Sequence, residues 1–546
     1  MKASTHGDVD ALPLATRLTY AAVGGCPFAR RAALAAPPSA APTGEQIFRF
    51  GRMFDGLPGL ADTNALAGQL AALGLSMTES AAQARGERNA GIAAIYTYLG
   101  QFIDHDITKT ETADAALASN MEAAFNAASA HRHVAPLDGG ELAKLVNRRS
   151  PMLNLDSVFD GTPRESDGSL RIGPVSPGPA RPTLPFKEDP DLVELHDLPR
   201  LPPSQNEDTD RRARIGDPRN DENLVVAQLH VAFLRAHRLL VRKIGLKPDA
   251  ADLELKRLYQ RIVLDDFLPT ICDPAIVRSV LAQPQGLFYR PDPASPYMPL
   301  EFAGAAFRFG HSMVRNAYNY NSELSGLSAS TPIGTLKQLF TFTAFSGDNF
   351  GVESLPQNWI IDWSRWVDHP DGTPADNVTK QMDTLLADEL SKLPRANGVI
   401  GGNDVNNLAL RNLLRGLLLG LPSGQSVARA VQMKLGPVFD PLTPQQLRDV
   451  ANEASPAQGA ALIAGGFDWQ TPLWYYVLAE ASRVPVDKGH LGPVGSAIVA
   501  DVLHQLVRLA PDNVLDAPKW KSAIPLRDPS RVEIEDLLRF AQLLPF

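Results

Sequence analysis

Gln101, Asp104 and His105 stand at i, i+3 and i+4 within Ile-Tyr-Thr-Tyr-Leu-Gly-Gln-Phe-Ile-Asp-His-Asp-Ile-Thr, residues 95–108. On a helix that spacing puts all three on one face, one turn deep. An imidazole so placed can take a proton and return it near neutral pH. Ile95, Tyr98, Leu99, Phe102 and Ile103 also fall at helical spacing, so the same helix must bury an apolar face. Polar groups carried into such an interior are costly unless they meet a ligand, a metal or one another. Asp106, turned about 100° from His105, looks elsewhere. By itself Asp-His-Asp is equally a solvated helix end or a structural hydrogen-bond cluster.

Four further segments hold residues able to do chemistry. Gly216-Asp217-Pro218-Arg219-Asn220-Asp221-Glu222-Asn223 heads a helical run. Asp221 and Glu222 suit its positive end, Asn220 or Asp221 could cap it, and Arg219 reads locally as a surface arginine. His230 and His237 follow seven apart and read as structural. In Phe307-Arg308-Phe309-Gly310-His311, Arg308 and His311 share a helical face, and Gly310 would let a flat ligand come close. A lone histidine there is equally a satisfied core residue. Asn412, in Asn407-Leu408-Ala409-Leu410-Arg411-Asn412-Leu413-Leu414-Arg415, is a polar group in an apolar helix and needs a partner. Ser150-Pro151-Met152-Leu153-Asn154-Leu155-Asp156-Ser157 alternates oxygen donors, as a loop wrapping a hard cation does. Asx side chains bonding their own backbone are the competing reading.

The elements that must position these groups are mostly helices. Periodicity predicts helices over 91–105, 112–132, 221–243, 251–266, 300–320, 376–392, 404–419, 424–434, 443–453, 471–482 and 493–509. Strands are few and short. The class is mainly α: a single large helical domain with long Pro-rich loops. Residues 1–45, rich in Ala and Pro, read as an irregular arm. Residues 46–546 read as the domain, with a motif-bearing core of about 98–430 and C-terminal helices over 431–546. The stretch from about Gly161 to Pro218 has the composition of a linker. It is taken as a loop wrapped on one domain, because the chemistry needs residues from both sides of it.

Composition sets the outer bounds. Hydrophobic residues make up 44% and charged residues 21% of the 546, as in globular chains. A net charge of −9 with no basic block argues against nucleic acid as a partner. No 18-residue apolar stretch suggests a membrane span. Acids stand near the N-terminus where a signal peptide needs its apolar run. Cys26 and Cys272 are too few for a disulfide framework, so the cytoplasm is the default, with export by another route left open.

Together and in this order the five segments resemble the animal-type haem peroxidase family, in a bacterial-looking, disulfide-poor form. The resemblance runs from roughly Tyr98 to Ala430, and Asn358-Trp359-Ile360-Ile361-Asp362-Trp363 is also similar to bacterial members. It implies haem b, with His105, Arg219 and Gln101 as the distal histidine, arginine and glutamine. His311 resembles the iron ligand, Asn412 its hydrogen-bond partner, and Arg308 the arginine against a haem propionate. Asp104 and Glu222 match carboxylates that some members join to haem as esters, which residue type leaves open. Asn223 stands where one member has a methionine–haem bond, so that link cannot form. Asp106, Ser150, Met152 (through its carbonyl), Asn154 and Asp156 resemble a calcium site, with Asn154 and Asp156 departing from the mammalian ligand types.

The implied activity is reduction of H2O2 through a ferryl intermediate, with a small organic or halide donor oxidised, as in a response to oxidative stress. One rival is a fatty-acid dioxygenase of the cyclooxygenase-like branch. Those enzymes carry a radical tyrosine three residues before the proximal histidine, where this chain has Arg308. The other rival is a haem-binding protein without turnover, against which His105, Arg219, His311 and Asn412 argue together. Oligomeric state is open.

Overall fold

Apolar periodicity is realised here as helices gathered about one long central helix. The structure, a computed structural model, describes residues 48–85, 89–110, 124, 126–128, 132–178, 180–204, 209–328, 331–339, 353–392, 407–483 and 489–545. The expected N-terminal arm, Cys26 and most of the helix expected over 112–132 lie outside the described residues. Helix α1 spans Leu66–Leu75, α2 Ile95–Ile107, α3 Leu224–Arg242 and α4 Pro248–Ile262. Then come α5 Gly310–Met313, α6 Leu408–Leu418, α7 Leu473–Arg483 and α8 Pro493–Leu509.

Helix α3 is the centre. It is long and apolar enough to cross a membrane, yet 89% of its apolar window is buried inside the fold, as a core helix hydrophobic on every side must be. α2 and α4 both pack on it. Phe102 of α2 stacks on Phe233 of α3 with ring centroids 4.7 Å apart, and Tyr259 of α4 meets Phe233 edge-on at 5.9 Å. α1 lies against α6. Gly74 permits that approach, because a Cβ there would come within 2.7 Å of the Leu410 backbone. α5 packs against α2, which brings together the two elements bearing His311 and His105.

Short strands tie the periphery. β1 (Phe48–Gly51) lies between β3 (Val146–Asn147), antiparallel, and β4 (Tyr297–Pro299), parallel. β2 (Asn89–Ala93) pairs with β7 (Val378–Lys380), and β5 (Ala317–Tyr318) with β6 (Gly334–Thr335), both antiparallel. The segment between Gly161 and Pro218 fastens to α3: Leu170 N donates to His237 Nδ1 at 3.1 Å and Gln228 Nε2 to the His196 carbonyl at 2.5 Å.

Two expected helices fail. Residues 376–392 hold β7 and a 3-10 turn over Asp388–Ser391 instead. β-Branched Val378 and Thr379 suit a strand, and buried Lys380 pairs with buried Glu79 at 2.5 Å. The run over 300–320 breaks into Leu300–Gly304, a 3-10 turn Ala306–Arg308, α5 and β5. Arg308 Nε takes the Ala303 carbonyl at 2.7 Å, an oxygen that a continuing helix would need.

Candidate functional site

Asp217 starts the site. It caps the 3-10 turn Pro218–Asp221 by accepting Arg219 N at 2.9 Å, with Pro218 pre-set at the first position. Gly216 lets the turn sit close, since a Cβ there would lie 2.2 Å from the Asp156 carbonyl. Asn223 then caps α3 by accepting Val226 N at 3.0 Å. The caps are therefore Asp217 and Asn223, which leaves Asn220 and Asp221 free of that duty.

Arg219 is buried, not a surface residue. Its Nε donates to Asp217 Oδ1 and its Nη2 to Asp217 Oδ2, each at 3.0 Å. The same Nη2 reaches the carbonyls of His105, at 3.2 Å, and Thr108. Its Nη1 is buried with no hydrogen-bond partner among the described residues. Burial alone would raise the Asp217 carboxyl, but the Arg219, Lys109 and Arg149 cations hold it well below the usual carboxylate range. For Arg219, burial opposes the charge, and Asp217 outweighs it with lesser help from Asp104 and Glu222. The guanidinium stays charged.

His105 is fully buried, and its Nδ1 meets Asn220 Oδ1 at 2.9 Å. Asn220 Nδ2 meets His230 Nδ1 at 3.0 Å, and burial pushes His230 down to about 3, so it is neutral. Gln101 Oε1 accepts Asn223 Nδ2 at 3.0 Å, while Gln101 Nε2 is buried with no partner among the described residues. Asp104 is buried and accepts Thr108 Oγ1 at 2.8 Å; Glu222 is half-buried.

Asp106 points the other way. Its two oxygens accept Leu155 N at 3.1 Å and Ser157 N at 3.0 Å. Burial, then Asp156, push its carboxyl up to about 7. Asn154 Nδ2 donates to Ser150 Oγ at 3.0 Å, and the Met152 carbonyl accepts Asn154 N at 3.1 Å. Among the described residues, no group of three or more His, Cys, Asp or Glu gathers as a metal site. The expected calcium set thus reduces to two carboxylates and neutral oxygens, several already engaged with one another.

Across the fold, Arg308 and His311 are buried, and the Arg308 carbonyl accepts Trp474 Nε1 at 3.2 Å. Asn412 presents its Nδ2 to His311 Nδ1 at 2.9 Å, and its Oδ1 faces Arg415 Nη1 at 3.5 Å. The expected partner is present, with the opposite end of its amide on the ring. A surface concavity lined by Pro182, Phe186 and Val193 includes none of these residues.

Haem fits this donor set. An imidazole whose second nitrogen is held by an amide suits iron once that amide offers its oxygen. The buried, unmatched Gln101 Nε2 and Arg219 Nη1 beside α2 suit an oxygen ligand. The buried guanidiniums of Arg308 and Arg415 suit carboxylate arms. Asp217, Arg149, His230 and Arg415 were not picked out from the sequence as site residues, and Asn220 only as a cap. The one available signal was the Gly-Asp-Pro-Arg run, which forces a tight, capped turn.

Residues 163–355 match the family model described as animal haem peroxidase, a span that includes Arg219, Arg308 and His311 but not His105 or Asn412. Over 373 residues the chain is 27% identical to a peroxidase-like protein of Margaritifera margaritifera, covering 60% of this chain and 44% of that one. It spans less than half the length of the curated relatives it matches. Peroxidase A of Dictyostelium discoideum superposes with a TM-score of 0.55 at 15% identity, over 92% of this chain and 96% of that one. A fatty acid alpha-dioxygenase of Oryza sativa aligns over 87% of this chain and 76% of its own, with a TM-score of 0.47 and 10% identity. Over residues 163–355 the chain is similar to the animal haem peroxidase family, and its overall fold is similar to that of a solved peroxidase.

Proposed function

We propose that the chain is a haem-dependent peroxidase that reduces H2O2 to water and oxidises a small organic or halide donor. The observation that carries this is the buried pairing of His105 Nδ1 with Asn220 Oδ1 beside a fixed Arg219 cation. When bound, haem supplies an iron that takes peroxide and holds its oxidising equivalents for the donor. His311 would hold that iron, with Asn412 on the ring's other nitrogen. Arg308 and Arg415 would meet the carboxylate arms, and Asp104 and Glu222 would stand at the positions for ester links.

The chain's own residues move the proton. His105, with its proton on Nδ1, has a lone pair on Nε2 that takes a proton from the peroxide. The same nitrogen returns it to the departing oxygen, which leaves as water. Arg219 places a permanent positive charge where hydroxide character develops, and Asp217 with two backbone carbonyls keeps it from swinging away. Gln101, oriented by Asn223, adds a neutral amide donor. A calcium ion between Asp106 and Asp156, with oxygens from Ser150, Met152 and Asn154, would relieve the repulsion of the two carboxylates at the end of α2.

Stopped-flow spectra of the haem-loaded protein with one equivalent of H2O2, then a donor, test the reading. Arg219→Ala should slow the peroxide reaction by about 10²–10³, the cost of losing one charge-stabilising donor. Rates equal to wild type within a few fold would remove Arg219 from the mechanism. Oxygen uptake with a fatty acid and no peroxide would replace the peroxidase by a dioxygenase.

A further inference from the structure

We propose that Asn220 and His230 are positioning residues that dictate which nitrogen of His105 carries the proton. This rests on the peroxidase reading of His105. His230 is fully buried on α3, and its ring stands edge-on to Phe102 with centroids 6.1 Å apart. Burial keeps it neutral. A neutral ring that accepts at Nδ1 bears its proton on Nε2, and that acceptor lies 3.0 Å from Asn220 Nδ2. An amide whose nitrogen is committed there must show its oxygen to His105 Nδ1, 2.9 Å away. A carbonyl oxygen only accepts, so His105 carries its proton on Nδ1 and keeps the Nε2 lone pair.

Turned end for end, the same asparagine would give His105 an N–H and drive its proton to Nε2. The base would then be lost without any change in packing. For that turn His230 must also move its own proton from Nε2 to Nδ1, so the amide and the two rings change together. The order of control therefore runs from the core helix, through one amide, to the reacting imidazole, and it uses no charged group.

The test uses haem-loaded protein and two readouts: reaction with H2O2, and association of cyanide, which enters as HCN and must also surrender a proton. Asn220→Leu should slow both by about 10–100-fold, the usual effect of losing an orienting partner of a functional imidazole. Asn220→Asp keeps an acceptor oxygen toward His105 and should recover most of that loss. His230→Phe removes the acceptor that holds the amide and should slow both to a lesser degree. His105→Ala is the reference. If His105→Ala leaves both rates unchanged, the peroxidase reading of His105 falls and this proposal with it. If His105→Ala slows both but Asn220→Leu does not, only the proposal falls. Should Asn220→Leu not fold, equal rates in His230→Phe and wild type would overturn the proposal, and a slowed His230→Phe beside an intact Asn220→Asp would uphold it.

Discussion

Each of the two buried imidazoles is met at Nδ1 by an asparagine, but by opposite ends of it. Asn220 turns its oxygen to His105 and Asn412 its nitrogen to His311, both at 2.9 Å. On the proposed reading, the first ring therefore keeps the Nε2 lone pair that accepts a proton. With the amide nitrogen on its Nδ1, the second ring would carry its proton on Nε2, and holding a metal there as proposed requires the Asn412 amide to make a half-turn. The turn gives up the contact of Arg415 Nη1 with Asn412 Oδ1 at 3.5 Å and sets the amide nitrogen against that guanidinium, so Arg415 must shift with it. The surroundings differ in the same sense. The His105 side is closed by ion pairs among Arg219, Asp217 and Arg149, whereas the His311 side is held by the packing of α5 on α2 and α6 on α1. One half is held by charge, the other by packing.

If that contrast holds, breaking the His311 side should cost the cofactor and leave the opposite cluster standing. His311→Ala is expected to lose essentially all haem binding in a haem titration, with far-UV circular dichroism unchanged. An unaltered Soret band in this variant would mean that another group holds the iron.

Breaking the charged side should instead cost stability. Asp217→Ala takes from Arg219 and Arg149 the buried carboxylate they share, leaving Arg149 only its 3.7 Å pair with Asp160, and removal of one partner of a buried pair destabilises by about 3–5 kcal/mol. The sign follows from the depressed folded pKa of Asp217. Its stabilisation is fully present above the unfolded carboxyl value of about 3.9 and is lost as pH falls through the folded value. Urea unfolding at neutral pH should separate wild type from variant, and the gap should close in acid. A gap that persists unchanged in acid would show that the aspartate acts by shape and not by charge.

The same contrast explains what could be read from the sequence. Helices with an unbroken apolar stripe were legible: α3 was expected over 221–243 and α8 over 493–509, close to where they lie. Residues 376–392 and 300–320 were not. In the first, Lys380 is satisfied by Glu79, 301 positions away; in the second, Arg308 bonds a carbonyl of its own segment. Neither partnership shows in local periodicity. Within the site, His105 and Gln101 stood out by type and spacing, whereas Arg219 was named only through the family resemblance, because a capped turn with an arginine is usually a surface feature. Asn220 was masked by its neighbours. Asp217 and Asn223 do the capping, and only three-dimensional placement shows that the asparagine between them has a different task.

The amide contrast itself is sharpened by Asn412. Asn412→Asp offers an oxygen at either end and needs no half-turn, so haem should bind at least as tightly as in wild type. Asn412→Leu offers neither end and should weaken haem binding by about 10–100-fold. Titration of haem-free protein reads both. Equal affinities for wild type and Asn412→Leu would mean that packing alone sets His311, and the comparison with His105 would lose its force.

The smallest effect belongs to Asp106. Leu155 N and Ser157 N already satisfy its carboxylate, so the loop stays pinned to the end of α2 even when no ion is held there. A cation would add only relief of the repulsion from Asp156. Exhaustive chelation, followed by metal analysis, should therefore lower the rate with peroxide by no more than a few fold. Asp106→Ala removes the acceptor for both amides as well as any ion, and it should cost more than chelation does. Were chelation to abolish activity outright, the cation and not the backbone would be the anchor of the helix that carries His105.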